Sequence, residues 1–301
     1  MLVTDARIDA WPENNLRAIT RRLGIDGDVS APRTLWFDLS RDVRLRALDW
    51  GGKGVPVLLL HGGALTAQTW DYVCVGLRSE FRLVALDMRG HGESSWSDNY
   101  SIVQWAADAA QTAIALRALP LHVAGMSLGG IVAAELALTT TGLVRSLAMV
   151  DVAPGVDFGA TARMRGFING MSGAPSVEAV IDAAMRTSQS SDRQRVAYRM
   201  KALLRQGADG YWKWRRDSRR TADYQHFLSH LQGLEERVGA LRAPFLMVRG
   251  GRSRSMPASA AIAFSNRFHD GHFVEIADAG HNVQEDNPAA LIKALRAFWR
   301  T

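Results

Sequence analysis

Gly125-Met126-Ser127-Leu128-Gly129 is the stretch on which the reading of this chain turns. It follows a short apolar run, Leu121-His122-Val123-Ala124, and precedes a helix-like run over residues 131–138. The order is strand, tight turn, helix, with Ser127 at the turn. A G-x-S-x-G pattern carries meaning only in that setting. The reason is steric. So sharp a turn drives the serine to strained backbone angles, and side chains on its neighbours would collide. Gly125, Gly129 and Gly130 leave the room that is needed. The turn lifts the Ser127 hydroxyl above the sheet edge and aims the first amides of the next helix at the same point. Those amides lack partners within the helix and sit at the positive end of its dipole, so they favour negative charge there. The stretch reads as an activated serine beside an anion site.

On both sides of this turn strands and helices alternate. Leu35-Trp36-Phe37-Asp38-Leu39 and Val43-Arg44-Leu45-Arg46-Ala47-Leu48 read as paired edge strands. Residues 55–60, 81–86 and 144–150 are apolar runs of the kind found in strands buried on both faces. Helices are expected over 69–77, 101–119 and 128–139. From residue 153 to about 240 the patterns are helical, with no strand signal, and Pro154, Gly155, Gly159, Gly170, Gly173 and Pro175 punctuate the first part. The alternation returns with Pro244-Phe245-Leu246-Met247-Val248, a helix over 257–268, a strand over 272–276 and a helix over 288–299. Helices between buried strands imply an α/β class, a mostly parallel sheet with helices on both faces. The expected organisation is an N-terminal extension over 1–33, a core built from 34–152 and 241–301, and a helical cap over 153–240, inserted after the sixth strand.

The chain of 301 residues is 47% hydrophobic, enough for one large α/β domain with an insertion. No apolar stretch reaches membrane-spanning length, so no membrane association is expected. The start, Met1-Leu2-Val3-Thr4-Asp5-Ala6-Arg7, has no basic region followed by an apolar run, as a signal peptide would. Cys74 is the only cysteine and sits in an apolar helical run, where inert packing is the expectation. These features point to the cytoplasm. The formal charge of +6 is spread along the chain, with no basic helix, zinc pattern or RNA-binding signature. Nucleic acid is not an expected partner, and neither a metal nor a cofactor is called for.

Four motifs now stand in order: His61-Gly62-Gly63 after a buried strand, Asp87-Met88-Arg89-Gly90-His91-Gly92-Glu93-Ser94 after the next, the turn at Ser127, and Ala279-Gly280-His281 after the last strand. In this the chain resembles the α/β-hydrolase fold superfamily over residues 34–300, in the form of a capped bacterial serine hydrolase. A serine hydroxyl is a poor nucleophile and needs a base. Of the eight histidines, His281 alone combines the family position with a loop beyond a strand end. A tetrahedral intermediate needs preorganised donors, and the resemblance assigns them to the amides of Leu128 and Gly63. It also turns Met126 toward the pocket, with core packing as the other reading. Asp87 and Arg89 are expected only to hold their loop, and Glu285 and Asp286 to offset the dipole of the last helix.

The acid departs from the family pattern. Most relatives carry an aspartate after the strand here ending at Val248, but Arg249-Gly250-Gly251-Arg252-Ser253-Arg254-Ser255-Met256 has no carboxylate. Arg254 stands where the acid is expected. Either the histidine lacks an acid or the acid comes from elsewhere. Asp151 is the favoured substitute, because it closes the strand next to that of Ser127, where some haloalkane dehalogenases of this fold place theirs. The order Ser127, Asp151, His281 is retained. The cap is rich in aromatic and basic residues, and Trp214, with Arg254, is a candidate for the substrate pocket. The resemblance implies cleavage of an ester, lactone or thioester of a small hydrophobic molecule through an acyl-enzyme on Ser127. A carbon–carbon bond hydrolase of a vinylogous diketone acid is one alternative. A ligand-binding protein on a hydrolase fold, with little turnover, is the other. Epoxide hydrolysis and dehalogenation are disfavoured, because both use a carboxylate where this chain has Ser127. The partner implied is a small-molecule substrate, and the sequence leaves the oligomeric state open.

Overall fold

The structure, a computed structural model, describes residues 3–7, 11–117, 119–187, 192–219 and 224–300. It begins with β1 (Val3–Arg7), α1 (Glu13–Arg22), β2 (Arg33–Asp38), β3 (Arg44–Asp49) and β4 (Pro56–Leu60). A 3₁₀ turn over Ala67–Trp70 leads into α2 (Asp71–Leu77), then β5 (Arg82–Leu86), α3 (Ile102–Ala115), β6 (Leu121–Met126), α4 (Leu128–Thr139) and β7 (Val144–Val150). The inserted segment holds α5 (Ala162–Gly170), α6 (Val177–Thr187), α7 (Arg193–Leu203), β8 (Leu204–Gln206), β9 (Trp212–Trp214) and α8 (Tyr224–Arg237). The chain then returns with β10 (Phe245–Gly250), α9 (Ala258–Ser265), β11 (Gly271–Ile276), α10 (Val283–Asp286) and α11 (Pro288–Trp299).

Nine strands form one sheet in the order β1-β2-β3-β5-β4-β6-β7-β10-β11. From β5 to β11 every neighbouring pair is parallel, and β1, β2 and β3 add antiparallel strands at one edge. The continuous apolar runs of β4, β6 and β10 are buried because helices cover both faces. One core layer lies beneath α3, α4 and α8, and the other beneath α1, α2 and α11. Among the described residues, no helix is long and apolar enough to cross a membrane.

The stretch read as an N-terminal extension is built into this sheet. Strand β1 pairs along its length with β2, and α1 buries Leu16 and Ile19 in the core. The insertion therefore follows the seventh strand of the sheet, the sixth if counting starts at β2. The insertion also holds a short hairpin, β8 against β9, where no strand was expected. Strands of three residues are too short to show a period of two, and these are rich in Arg, Lys and Trp. Helix α8 lies on α4, where Glu135 accepts from Arg237 at 2.9 Å and lies 3.1 Å from His230 Nε2. Between β9 and α8, Gly92 N–H donates to Arg215 O (2.7 Å), and Asp217 N–H donates to Gly90 O (2.8 Å). The loop after β5 is thus a clamp for the cap.

Candidate active site

Strands β6 and β7 run parallel with Met126 opposite Val150, so the next residues, Ser127 and Asp151, leave the sheet side by side. Backbone bonds hold both: Ser127 N–H donates to Val150 O (3.0 Å) and Asp151 N–H to Val248 O (2.8 Å). Both residues have positive φ, 51° at Ser127 and 54° at Asp151. Such angles cost a side-chain-bearing residue about 1–3 kcal/mol and persist where the surroundings enforce them. At Ser127 the enforcement is close packing. A Cβ at Gly125 would lie 2.1 Å from Gly129 O, and one at Gly129 would lie 2.3 Å from Leu60 O.

His281 arrives from beyond β11. Its Nε2 lies 3.2 Å from Ser127 Oγ and its Nδ1 lies 2.8 Å from Asp151 Oδ2. Asp151 is fully buried. A buried carboxylate needs its lone pairs filled. Gly250 N–H donates to Oδ1 (2.9 Å), and the Ser253 hydroxyl donates to Oδ2 (2.6 Å). Ser255 Oγ stands 3.1 Å from both Ser253 Oγ and His281 Nδ1. With Nδ1–H donating to Asp151, Nε2 carries the lone pair and accepts from Ser127.

The segment after β10 differs from its sequence reading. Ser253 is buried, Arg254 exposed and Ser255 buried. Ser253, not Arg254, faces the histidine's acid, and the Arg254 side chain points to the surface. Sequence reasoning missed both serines. Their signal was the alternation Ser253-Arg254-Ser255, two small hydroxyls flanking one large cation.

The donor residues expected for an oxyanion lie on either side of Ser127 in the chain. Leu128 opens α4, so its amide has no partner within the helix. Gly63 is exposed, and a Cβ there would meet nothing within 4 Å. The loop carrying Gly63 is fixed by two histidines. Met88 N–H donates to His61 Nε2 (3.0 Å), and His61 Nδ1 lies 2.8 Å from Gly62 O. Ala64 N–H donates to His91 Nε2 (3.3 Å), and His91 Nδ1 lies 3.2 Å from Arg89 O. These partners assign both rings as neutral Nδ1–H tautomers. The rings meet edge to face at 4.9 Å.

Three expectations are corrected. Met126 is 1% exposed and puts its sulfur beneath Gly62, in the core rather than on an open pocket wall. Trp214 belongs to the cap's own core, edge-on to Phe167 (5.6 Å) and donating Nε1–H to Ile168 O (2.9 Å). Glu285 and Asp286 stand just before the last helix as expected, but Asn287 is its cap, accepting from Ala290 N–H. Glu285 instead pairs with Arg199 of the cap (2.7 Å), and Asp286 accepts from Gly280 N–H (2.9 Å). Asp87 and Arg89 hold their loop as expected: Asp87 Oδ1 accepts from Ala67 N–H (2.7 Å), and Arg89 grips Asp108 through two nitrogens (2.8 and 2.7 Å). Cys74 is fully buried, and burial pushes its thiol pKa well up.

Residues 57–294 match the model of the alpha/beta hydrolase family. The chain belongs to that family. It is similar to esterase Rv0045c of Mycobacterium tuberculosis, with 35% identity over 268 residues, 85% of this chain and 87% of that protein. The crystal structure of that α/β hydrolase superposes with a TM-score of 0.77 at 31% identity, covering 98% of this chain and all of the other. The pimeloyl-[acyl-carrier protein] methyl ester esterase of Aeromonas salmonicida is 26% identical over 82% of this chain and 96% of its own length. This α/β hydrolase is accordingly an enzyme, and its relatives make it an ester hydrolase.

Proposed function

We propose that this hydrolase cleaves esters, lactones or thioesters of small hydrophobic molecules through an acyl-enzyme on Ser127. One observation carries the reading: the hydrogen-bonded chain from Ser127 through His281 to the buried Asp151. His281 Nε2 takes the hydroxyl proton as Ser127 Oγ bonds to the substrate carbonyl carbon. Asp151 holds the Nδ1–H tautomer and stabilises the imidazolium. The amides of Leu128 and Gly63 receive the negative charge that develops on oxygen. The bond to the leaving alcohol or thiol then breaks, and that group departs with the proton from Nε2. Water, deprotonated by the same nitrogen, attacks the acyl carbon and releases the acid and Ser127.

The esterase relatives support the ester as the bond that breaks. A histidine without an acid would favour the ligand-binding alternative, and Asp151 at 2.8 Å from His281 supports turnover instead. A fluorophosphonate probe and an aryl ester test the reading together. The expected results are labelling at Ser127 and a burst of aryl alcohol equal to the enzyme concentration. An enzyme that neither labels nor turns over any ester or thioester is not a serine hydrolase.

A further inference from the structure

A cleft lies between cap and core, bounded by α7 on one side and by the segment after β4 together with α10 on the other. Including its open mouth it measures about 520 Å³. Leu65, on its wall, is two residues beyond Gly63, and Asp286, also on the wall, is bonded to the amide of Gly280, next to His281. The cleft therefore abuts both the loop of the expected oxyanion donor and the loop of the histidine.

Its polar groups are unevenly satisfied. Three carboxylate oxygens are occupied. Glu285 Oε2 accepts from Arg199 (2.7 Å) and Oε1 from the Thr69 hydroxyl (3.0 Å). Asp286 Oδ2 accepts from Gly280 N–H (2.9 Å), and burial raises the pKa of this carboxyl. Two of the donors are not occupied. Thr66 is 2% exposed, and its hydroxyl has no hydrogen-bond partner among the described residues. The guanidinium of Arg195, also on the wall, makes no hydrogen bond or ion pair among the described residues. Its backbone amide donates to Asp192 Oδ1 (3.1 Å), and its charge acts through space on Asp286 and Tyr72. Burial holds the Tyr72 phenol protonated, leaving it a donor as well.

Arg199 is paired with Glu285, so among the described residues Arg195 is the guanidinium of the cleft wall that makes no hydrogen bond or ion pair. The buried Thr66 hydroxyl without an acceptor is costly unless a ligand supplies oxygen, and the half-buried Arg195 guanidinium is available to the same ligand. A planar fork and a hydroxyl on the wall of one cleft offer donors of the kind a carboxylate takes, and a guanidinium binds a carboxylate through two parallel hydrogen bonds. We propose that this cleft binds a free carboxylate of the substrate through Arg195 and Thr66, so that the enzyme prefers half-esters of dicarboxylic acids to neutral esters of equal length. The ester part of this proposal rests on the Ser127 reading. The binding part does not.

The test compares mono-p-nitrophenyl esters of adipic, suberic and sebacic acids with the neutral p-nitrophenyl esters of matching length. In the unmodified enzyme at least one half-ester should exceed its neutral counterpart in kcat/KM by tenfold or more. Arg195→Gln should cut that ratio at least tenfold, mainly through KM. Arg195→Lys should keep part of the ratio, and Thr66→Val should lower it by itself. A ratio near one for every pair, or one that survives Arg195→Gln, overturns the proposal. Calorimetry on Ser127→Ala with the free dicarboxylates separates binding from chemistry. Binding should be present there and absent from the Ser127→Ala, Arg195→Gln double variant. Inorganic phosphate binding more tightly than every dicarboxylate would overturn the choice of carboxylate. Arg195-dependent binding with no turnover of any ester would retain the cleft and remove the Ser127 reading.

Discussion

Asp151 Oδ2 meets His281 Nδ1 at 2.8 Å although 130 positions separate them in the chain. The acid comes from the end of β7 rather than from the end of its parallel neighbour β10. The two strands are in register, Val150 beside Val248, so the displacement amounts to one strand spacing, about 4.8 Å. Ser253, from the loop after β10, fills the space with a hydroxyl that donates to the displaced carboxylate at 2.6 Å.

Asp151→Asn keeps the shape and removes the charge. The amide can hold the wrong tautomer of His281, and a comparable change in a serine protease costs about ten-thousand-fold in kcat. A loss of that order, with little change in melting temperature, is expected in steady-state ester hydrolysis. Adding Ser253→Asp should return at least tenfold, because the second carboxylate would start from the strand beside the first. Full activity in Asp151→Asn would show that the acid is dispensable.

Ser127→Ala should abolish probe labelling and reduce ester turnover by on the order of a million-fold. Circular dichroism and melting temperature should stay close to those of the unmodified protein, since the site's strain at φ 51° is not relieved by losing a hydroxyl. Near-normal hydrolysis by pure Ser127→Ala protein would require a different nucleophile.

His91 accepts the Ala64 amide and so helps position the Gly63 loop. His91→Phe removes the acceptor and should lower kcat by about tenfold to a hundredfold, less than the ~100- to 1000-fold cost of deleting an oxyanion donor outright. KM should move much less. His91→Gln supplies another acceptor and should recover part of kcat. Equal losses in both variants, or a loss confined to KM, would mean that His91 only fills space.

His122 bears on acid stability. Burial depresses its pKa from 6.5 to about 4, its Nδ1 meets Ser146 Oγ at 2.7 Å, and its Nε2 has no hydrogen-bond partner among the described residues. The unfolded chain therefore binds this proton more readily than the folded one between about pH 6.5 and 4. Stability falls as pH falls through that window, by about 3 kcal/mol at most, since one pKa unit is about 1.4 kcal/mol. Urea titrations across the window should show a shallower pH slope in His122→Gln than in the unmodified protein.

Backbone sterics and hydrophobic period are local, and what they govern was legible in the chain itself. The glycines around Ser127 could serve only a close-packed turn between strand and helix, and the apolar runs of β4, β6 and β10 had to be strands covered on both faces. The family motifs then named Ser127, His281 and the loop of Gly63, because each sits at a strand end with its own local signature. Contacts between distant segments have no such signature. Pairing of β6 with β7 and of β7 with β10 put Ser127, Asp151 and Ser253 within reach of one another, and it turned Arg254 outward, since neighbouring residues in extended chain point opposite ways. The edge strand β1, the burial of Met126 beneath Gly62 and the cleft holding Arg195 also depend on which surfaces meet. The sequence by itself determined a turn-borne serine on a parallel α/β sheet. Only the tertiary structure decided which carboxylate serves its histidine, because strand register and packing fix that choice between residues far apart in the chain.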